Sequence, residues 1–452
     1  MRRIKGVVAG AAGALMALGG LTACGSGGSS AVGGGASGGG NTVTLVSWGT
    51  NEQINLFKTT LSQFTQKTGI HVNIIQQPSN EYVQKVDAEV LSKTLPDVFW
   101  CQNSLEQELG SQGHLYNWSS YMSGKAKGAS STGLAASKFS AGSLDLYRGA
   151  NGALYGVPNE SNTYGVFYNA DLFKKAHVPL PTAHWTWPQM IADAKALTGA
   201  VSAHKGPGMQ TVWSLLESPN GVSFYSVDNG GKPLAEPSSL VGVKRVQVGP
   251  KFMQGAALLR NAIKHGWITG PTFTGNTTEA EFINGQVPMV FGGQWIASDF
   301  FNAKPKMHWG YAPLPAGTTA QYAPAESNGF CSPSNLKNPL ATWKVISWMD
   351  AHGFNYAYRR DPIAPIAYLP GSSGYLAGVK AQGGAAGASV EATVRQELND
   401  KDTLGTMFLG SWATKAGNTT TGVWNPALAG SKPLAPYVSK WVKAVNSFIT
   451  GS

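Results

Sequence analysis

The chain has 452 residues and sets 34 Lys and Arg against 24 Asp and Glu, a formal charge of +10. Its length exceeds what one hydrophobic core supports and suits two lobes, and its basic residues form no cluster interleaved with aromatics, which argues against a nucleic-acid partner. With eight His and three Cys, no His-Glu-x-x-His or Cys-x-x-Cys pair and no phosphate-binding glycine loop after a strand, nothing points to a metal or to any other cofactor.

The N-terminus reads as an export signal. Arg2, Arg3 and Lys5 form a charged head, Gly6 to Gly20 a short apolar run, and Leu21-Thr-Ala-Cys24 resembles the bacterial lipobox, whose cysteine becomes the lipidated first residue. Residues 1–23 are expected to be removed and Cys24 to hold the protein on the extracytoplasmic face of the cell membrane. A spanning helix would need about 18 apolar residues, which no stretch supplies. Arg2-Arg3 leaves the general secretory and twin-arginine routes both open. Residues 24–40 are almost wholly Gly, Ser and Ala and read as a flexible tether. A Gly-x-Ser-x-Gly match inside it, Gly35 to Gly39, lacks the flanking strand and helix of a nucleophile elbow and is set aside.

Past the tether, Val43 to Trp48 predicts a strand. Ile54, Phe57, Leu61 and Phe64 recur at helical spacing up to Gly69. His71 to Ile75 predicts the next strand, Tyr82, Val86 and Val90 a second helix, and Leu95 to Trp100 a third strand. This alternation implies parallel βαβ units. Their ligand crevice lies beyond the carboxyl ends of the strands, which places Asn51, Glu52, Trp100, Gln102 and Asn103 at a candidate site. Leu154 to Pro158 is extended, because proline biases the residue before it away from helix. The polar run Asn159-Glu160-Ser161-Asn162 stands where a buried strand would be apolar, before a β-rich Tyr164 to Tyr168. Asn169 or Asp171 can cap the helix carrying Leu172 and Phe173. Near the end, Val438, Trp441, Val445 and Phe448 line one face of an amphipathic helix.

Six blocks in order resemble the family 1 extracellular solute-binding proteins, the ligand-capturing subunits of ABC importers. They are the opening strand, Thr68-Gly69-Ile-His-Val72, Leu95-Pro-Asp-Val-Phe99, the hinge from Leu154 to Ala176, Phe282-Ile-Asn-Gly-Gln286 with Gly292-Gly293-Gln294-Trp295, and Trp309 to Pro315 with Ser327 to Phe330. Trp185-Thr-Trp187 is similar to the family's helix-opening tryptophan, and Asn220-Gly221 with Asp228 to Lys232 to its variable hairpin. The likeness covers roughly residues 41 to 355. Pro362, Pro365, Pro370 and the glycine-rich 371–387 replace the family's last crossing step and leave that crossing open.

The resemblance implies an α/β, two-lobed periplasmic-binding-protein-like fold of class II topology, each lobe a mostly parallel sheet flanked by helices. Lobe I would comprise residues 41–157 and 313–355, and lobe II residues 158–312 and 356–452. Cys101 and Cys331 can pair or remain buried thiols; in the family's first lobe the returning strand lies beside the third, which would bring them together.

Sugars offer flat C–H faces and hydroxyl edges, so a sugar site combines aromatics with Asp, Glu, Asn or Gln. Trp100 and Trp295 are the stacking candidates, Trp213 a further one, and Trp48 reads rather as core. Asn51, Glu52, Gln102, Asn103, Asn159, Glu160, Asn162 and Asn328 are the polar candidates, with Gly293 at the second-lobe motif. The expected function is capture of a mono- or oligosaccharide by a monomeric lipoprotein that closes over the ligand and delivers it to permease subunits, without catalysis. The alternatives are a polyamine or iron complex in the same fold, a surface adhesin, and a glycoside hydrolase using Glu52 and Glu160. With 24 acids in the whole chain, a neutral, hydroxyl-rich ligand is favoured.

Overall fold

The computed structural model describes residues 41–47, 49–77, 82–140, 142–201, 206–212, 215–237, 242–275 and 277–451, without the side chains of Val83 and residues 102–105. The leader, Cys24, the tether, Trp48 and Trp213 lie outside the described residues. Among those described, no helix is long and apolar enough to cross a membrane.

The strands in chain order are β1 (Thr42–Ser47), β2 (His71–Gln76), β3 (Val98–Gln102), β4 (Gly156–Asn162), β5 (Tyr164–Asn169), β6 (Met209–Thr211), the two-residue pair β7 (Ala235–Glu236) and β8 (Arg245–Val246), β9 (Met289–Gly293), β10 (Trp309–Pro313), β11 (Ala323–Cys331) and β12 (Thr403–Gly405). The first sheet runs β12-β11-β3-β1-β2, with β4 also paired to β11. Helix α1 (Asn51–Thr68) connects β1 to β2 and α2 (Tyr82–Ser92) connects β2 to β3, so these three strands are parallel, as two βαβ units require. Helix α1 starts where Thr50 and Gln53 form a reciprocal capping box and stops at Gly69 in the left-handed region (φ 69°); Ile54, Phe57, Leu61 and Phe64 face the core.

The second sheet runs β10-β5-β9-β6, and only β6 with β9 is parallel. The expectation of a mostly parallel sheet is corrected for this lobe. Strand β5 brings the chain in and β10 takes it out, and two strands that enter and leave side by side must run antiparallel.

The lobe boundaries shift as well. Strand β4 stays in the first sheet to Asn162, which pairs with Glu326, so the crossing falls at Thr163 rather than at Pro158. The return lies between β10 and β11. After residue 355 the chain does not pass directly to the second lobe. It runs back along β4, where Ser161 N–H donates to Pro365 O (2.9 Å) and Ala367 N–H to Asn159 O (3.0 Å), and Tyr358, Ile366 and Tyr368 join the first lobe's core. Trp424, Leu428, Val438, Trp441 and Val445 then pack in the second lobe.

One local expectation changes and one open stretch is resolved. Asn220-Gly221 lies in a helix, Pro219–Asp228, not in a hairpin. Ser218 caps it through Gly221 N–H and Pro219 takes the first helical position, a stronger start signal than Asn-Gly is a turn signal. The glycine-rich stretch is likewise largely helical, within Ser373–Asn399, with one non-helical residue at Gly384. Its glycines allow backbone contact. A Cβ on Gly374 would meet Asn355 O at 2.2 Å, and one on Gly378 would meet Tyr358 O at 2.4 Å. We expect Gly378→Ala to destabilise the protein by about 2 kcal/mol or more, since a carbonyl on a packed helix cannot retreat. Gly417→Ala, in open space on the helix Ala413–Thr419, should instead gain roughly 0.5 kcal/mol. Urea unfolding of the pair checks both signs.

Candidate functional site

The polar run of β4 lies at the passage between the lobes and is buried: Asn159, Glu160 and Asn162 are all below 5% exposed. Gln294, on the second-lobe motif, clamps the crossing. Its side-chain Oε1 accepts from Thr163 N–H (2.7 Å), its own N–H donates to Thr163 O (3.1 Å), and its Nε2 donates to Asn162 Oδ1 (3.3 Å). Beside it, Glu160 accepts from Asn328 Nδ2 (2.7 Å) and from the Tyr358 hydroxyl. Glu326 accepts from the Tyr164 hydroxyl and from Thr406 Oγ1 (3.1 Å). Tyr147 donates its hydroxyl to Ser327 O (3.1 Å), which ties this layer to the first lobe's core.

Burial pushes the Glu160 carboxyl above the usual range, against the bonds from Tyr358 and Asn328, and the neighbouring Glu326 adds to the push. Burial raises Glu326 as well, against bonds from Tyr164, Thr406 and Asn162. Both carboxyls are thus occupied by protein donors and resist ionisation. The crevice here, lined among others by Ser161, Thr163, Glu326 and Glu397, holds about 30 Å³, room for one or two waters.

A second bridge joins the lobes away from the strands. Asp361 accepts from Gln53 Nε2 (2.9 Å) in the first turn of α1 and from Ser298 Oγ (2.8 Å) on the second-lobe helix Ile296–Ala303. Asn51 and Glu52 are exposed in the same turn of α1, beside this bridge.

The two tryptophan candidates occupy matching settings. Trp100, on β3, is half-buried and meets Tyr82 edge-on, ring centroids 5.4 Å apart at 87°. Trp295, directly after β9 and Gln294, is half-buried and meets Tyr164 edge-on at 5.2 Å and 83°. A Cβ on Gly293 would stand 2.1 Å from the Trp295 ring, so glycine there lets the indole lie against the strand. Gln102 pairs with Asn328 in the β3–β11 register; the side chains of Gln102 and Asn103, and all of Trp213, lie outside the described residues.

The fold therefore brings together Glu160 with Asn328, Asn162 with Gln294, and Gly293 with Trp295. The buried side chain of Asn159 has no partner among the described residues. Sequence reasoning missed Gln294, although its neighbours on both sides were singled out. It missed Glu326, which directly precedes Ser327-Asn328. Tyr358 and Asp361 lie beyond residue 355, where the order of recognisable blocks stops, and nothing local marks them.

A family model for bacterial extracellular solute-binding proteins matches residues 50–353. The maltodextrin-binding protein MdxE of Bacillus subtilis (strain 168) is 24% identical over 332 residues, 69% of each chain. A Brucella abortus (strain 2308) protein whose name designates it a binding protein is 25% identical over 203 residues; that match covers 44% of this chain and spans about half, 47%, of that relative's length. Among solved structures, the ABC substrate-binding protein of Listeria monocytogenes in complex with cycloalternan superimposes with a TM-score of 0.71 at 18% identity, over 92% of this chain and 99% of the other.

Proposed function

The chain belongs to the bacterial extracellular solute-binding proteins, and on that premise we propose that it captures a mono- or oligosaccharide between its two lobes and presents it to the permease of an ABC importer. The observation that carries this reading is the pair Trp100 and Trp295, one from each lobe, each half-buried and each set by an edge-on tyrosine. A rigid flat ring suits the C–H face of a sugar at low entropic cost. Asn51 and Glu52, exposed in the first turn of α1, supply hydrogen-bonding edges. The relatives' names, one a maltodextrin-binding protein and one in complex with cycloalternan, agree with this ligand class.

Binding without turnover fits the carboxyls. A glycosidase needs one acid and one base or nucleophile facing the substrate. Of the Glu52 and Glu160 pair, Glu160 is buried and held by the Tyr358 hydroxyl and Asn328 Nδ2, so it does not face a substrate, while Glu52 is exposed on α1. We further propose that the leader is cleaved before Cys24, that lipid on Cys24 anchors the protein outside the cell membrane, and that it works as a monomer.

Thermal unfolding of the full-length chain against mono- and oligosaccharides, with polyamines and ferric complexes alongside, tests the ligand. A sugar at about 100 times its Kd should add roughly 2.7 kcal/mol of stability. Trp295→Ala should weaken that sugar at least about tenfold, or 1.4 kcal/mol, measured relative to the variant's own unfolding in buffer. A shift from polyamines or iron complexes with none from any sugar would overturn the sugar reading.

A further inference from the structure

The first lobe carries a second pocket, on the outer side of α1. It encloses about 320 Å³ and is lined by Thr60, Gln63 and Lys67 of α1 and by Trp348, His352, Asn355, Tyr356, Arg359 and Arg360 of the segment following β11. This lining shares no residue with the crevice beside β4 or with the Trp100 and Trp295 pair.

Its chemistry is one-sided. Lys67, His352, Arg359 and Arg360 supply four basic groups, and the lining contains no acid. None of the four takes part in an ion pair among the described residues. Two aromatic rings sit between them: Lys67 Nζ lies over the Trp348 ring (5.0 Å), the His352 ring packs 4.4 Å from Trp348, and the Arg360 guanidinium lies over Tyr356 (3.9 Å). Trp348 is fixed by its indole N–H, which donates to Thr60 Oγ1 (2.9 Å). Partial burial, and secondarily the nearby Lys67 charge, hold the His352 imidazole below its usual value. Such a concentration of positive charge is relieved when an anion enters.

We propose that this pocket binds a phosphate-bearing ligand, a mono- or diester whose phosphate meets Arg359, Arg360 and Lys67 and whose organic part lies against Trp348 and Tyr356. Guanidinium groups match phosphate oxygens in a planar, two-point geometry that a lone ammonium cannot supply. The volume exceeds what a bare phosphate needs and accommodates an esterified group. A soluble phosphate ester and a lipid headgroup present the same chemistry, and the test separates them.

Calorimetric titration of the full-length chain with glycerol phosphate forms one arm. Flotation with vesicles of neutral lipid, with and without phosphatidylglycerol, forms the other. Arg359→Gln/Arg360→Gln removes two exposed side chains and should leave sugar-dependent thermal stabilisation unchanged. Saturable glycerol phosphate binding that falls at least tenfold in the double variant supports a soluble ester. Binding only to vesicles containing phosphatidylglycerol, lost in the same variant, supports a headgroup. Lys67→Gln should weaken whichever interaction is found. No saturable binding in either arm, or binding that the double variant leaves intact, overturns the proposal.

Discussion

Raising the pH from 5 to 8 should weaken the fold by several kcal/mol, opposite to what paired surface carboxylates would do. Glu217 is fully buried; its Oε1 accepts from the Thr211 hydroxyl (2.5 Å), its Oε2 meets no donor among the described residues, and burial pushes its carboxyl up to about 7. Burial pushes Asp228 to about 7 as well, although Trp187 Nε1 (3.0 Å) and Tyr322 N–H (2.8 Å) donate to it. In the unfolded chain both lose their protons near pH 4. Between there and about pH 7 the native state holds more protons than the unfolded state, so stability is complete below pH 4 and falls as pH rises through the native values. Over the two pH units from 5 to about 7, each group contributes roughly 3 kcal/mol of that loss. Asp350, Glu106 and Glu397, also raised by burial, act in the same sense. His352, held low, acts in the opposite sense as the unfolded histidine loses its proton near pH 6.5, but it is only partly buried and solvent screening keeps its share small. Urea unfolding at the two pH values measures the slope, and Glu217→Gln should flatten it by roughly 3 kcal/mol. A fold equally stable or more stable at pH 8 would show that these carboxyls ionise in place.

Breaking the Cys101–Cys331 bond should cost nearly as much. The two cysteines are fully buried and joined across β3 and β11, with Cα atoms 5.9 Å apart and a sequence separation of 230. A closed loop of that length removes about 5 kcal/mol of conformational freedom from the unfolded chain by the chain-entropy relation. For a folded body of this size, that is a fall on the order of 6 °C in Tm. Cys101→Ala/Cys331→Ala should show it, and reductant should lower the parent to the same level without affecting the variant. Thiol labelling of the denatured, unreduced protein should find neither cysteine free. If it finds both, the stabilisation is absent and reductant leaves the parent's Tm unchanged.

What could be read in advance was local. Thr50, Gln53 and Gly69 delimit α1 within a few residues of one another in sequence, and Asn169 caps the helix after β5 by reaching two and three residues ahead. The crossing was visible because four polar residues interrupt a β-rich stretch. What escaped depends on partners far apart in the chain: Glu326 with Tyr164, Glu160 with Tyr358, and Asp361 with Gln53, the last separated by 308 positions. Nothing near Asp361 distinguishes a bridging carboxylate from a helix-end turn. The glycine-rich segment left its crossing open for a related reason. Glycine marks a loop when judged locally, whereas here it permits one backbone to approach another, a fact held by the partner's carbonyls at Asn355 and Tyr358.

The Asp361 bridge bears on how a measured affinity should be interpreted. A clasp between α1 and the helix Ile296–Ala303 built wholly from protein groups must break before those two helices can part, whether or not a ligand is present. Its energy therefore enters any equilibrium in which the empty protein opens, and only an open fraction admits a ligand. Apparent Kd equals the intrinsic constant divided by that competent fraction, so the clasp's contribution to the opening equilibrium scales the affinity of every ligand by one common factor.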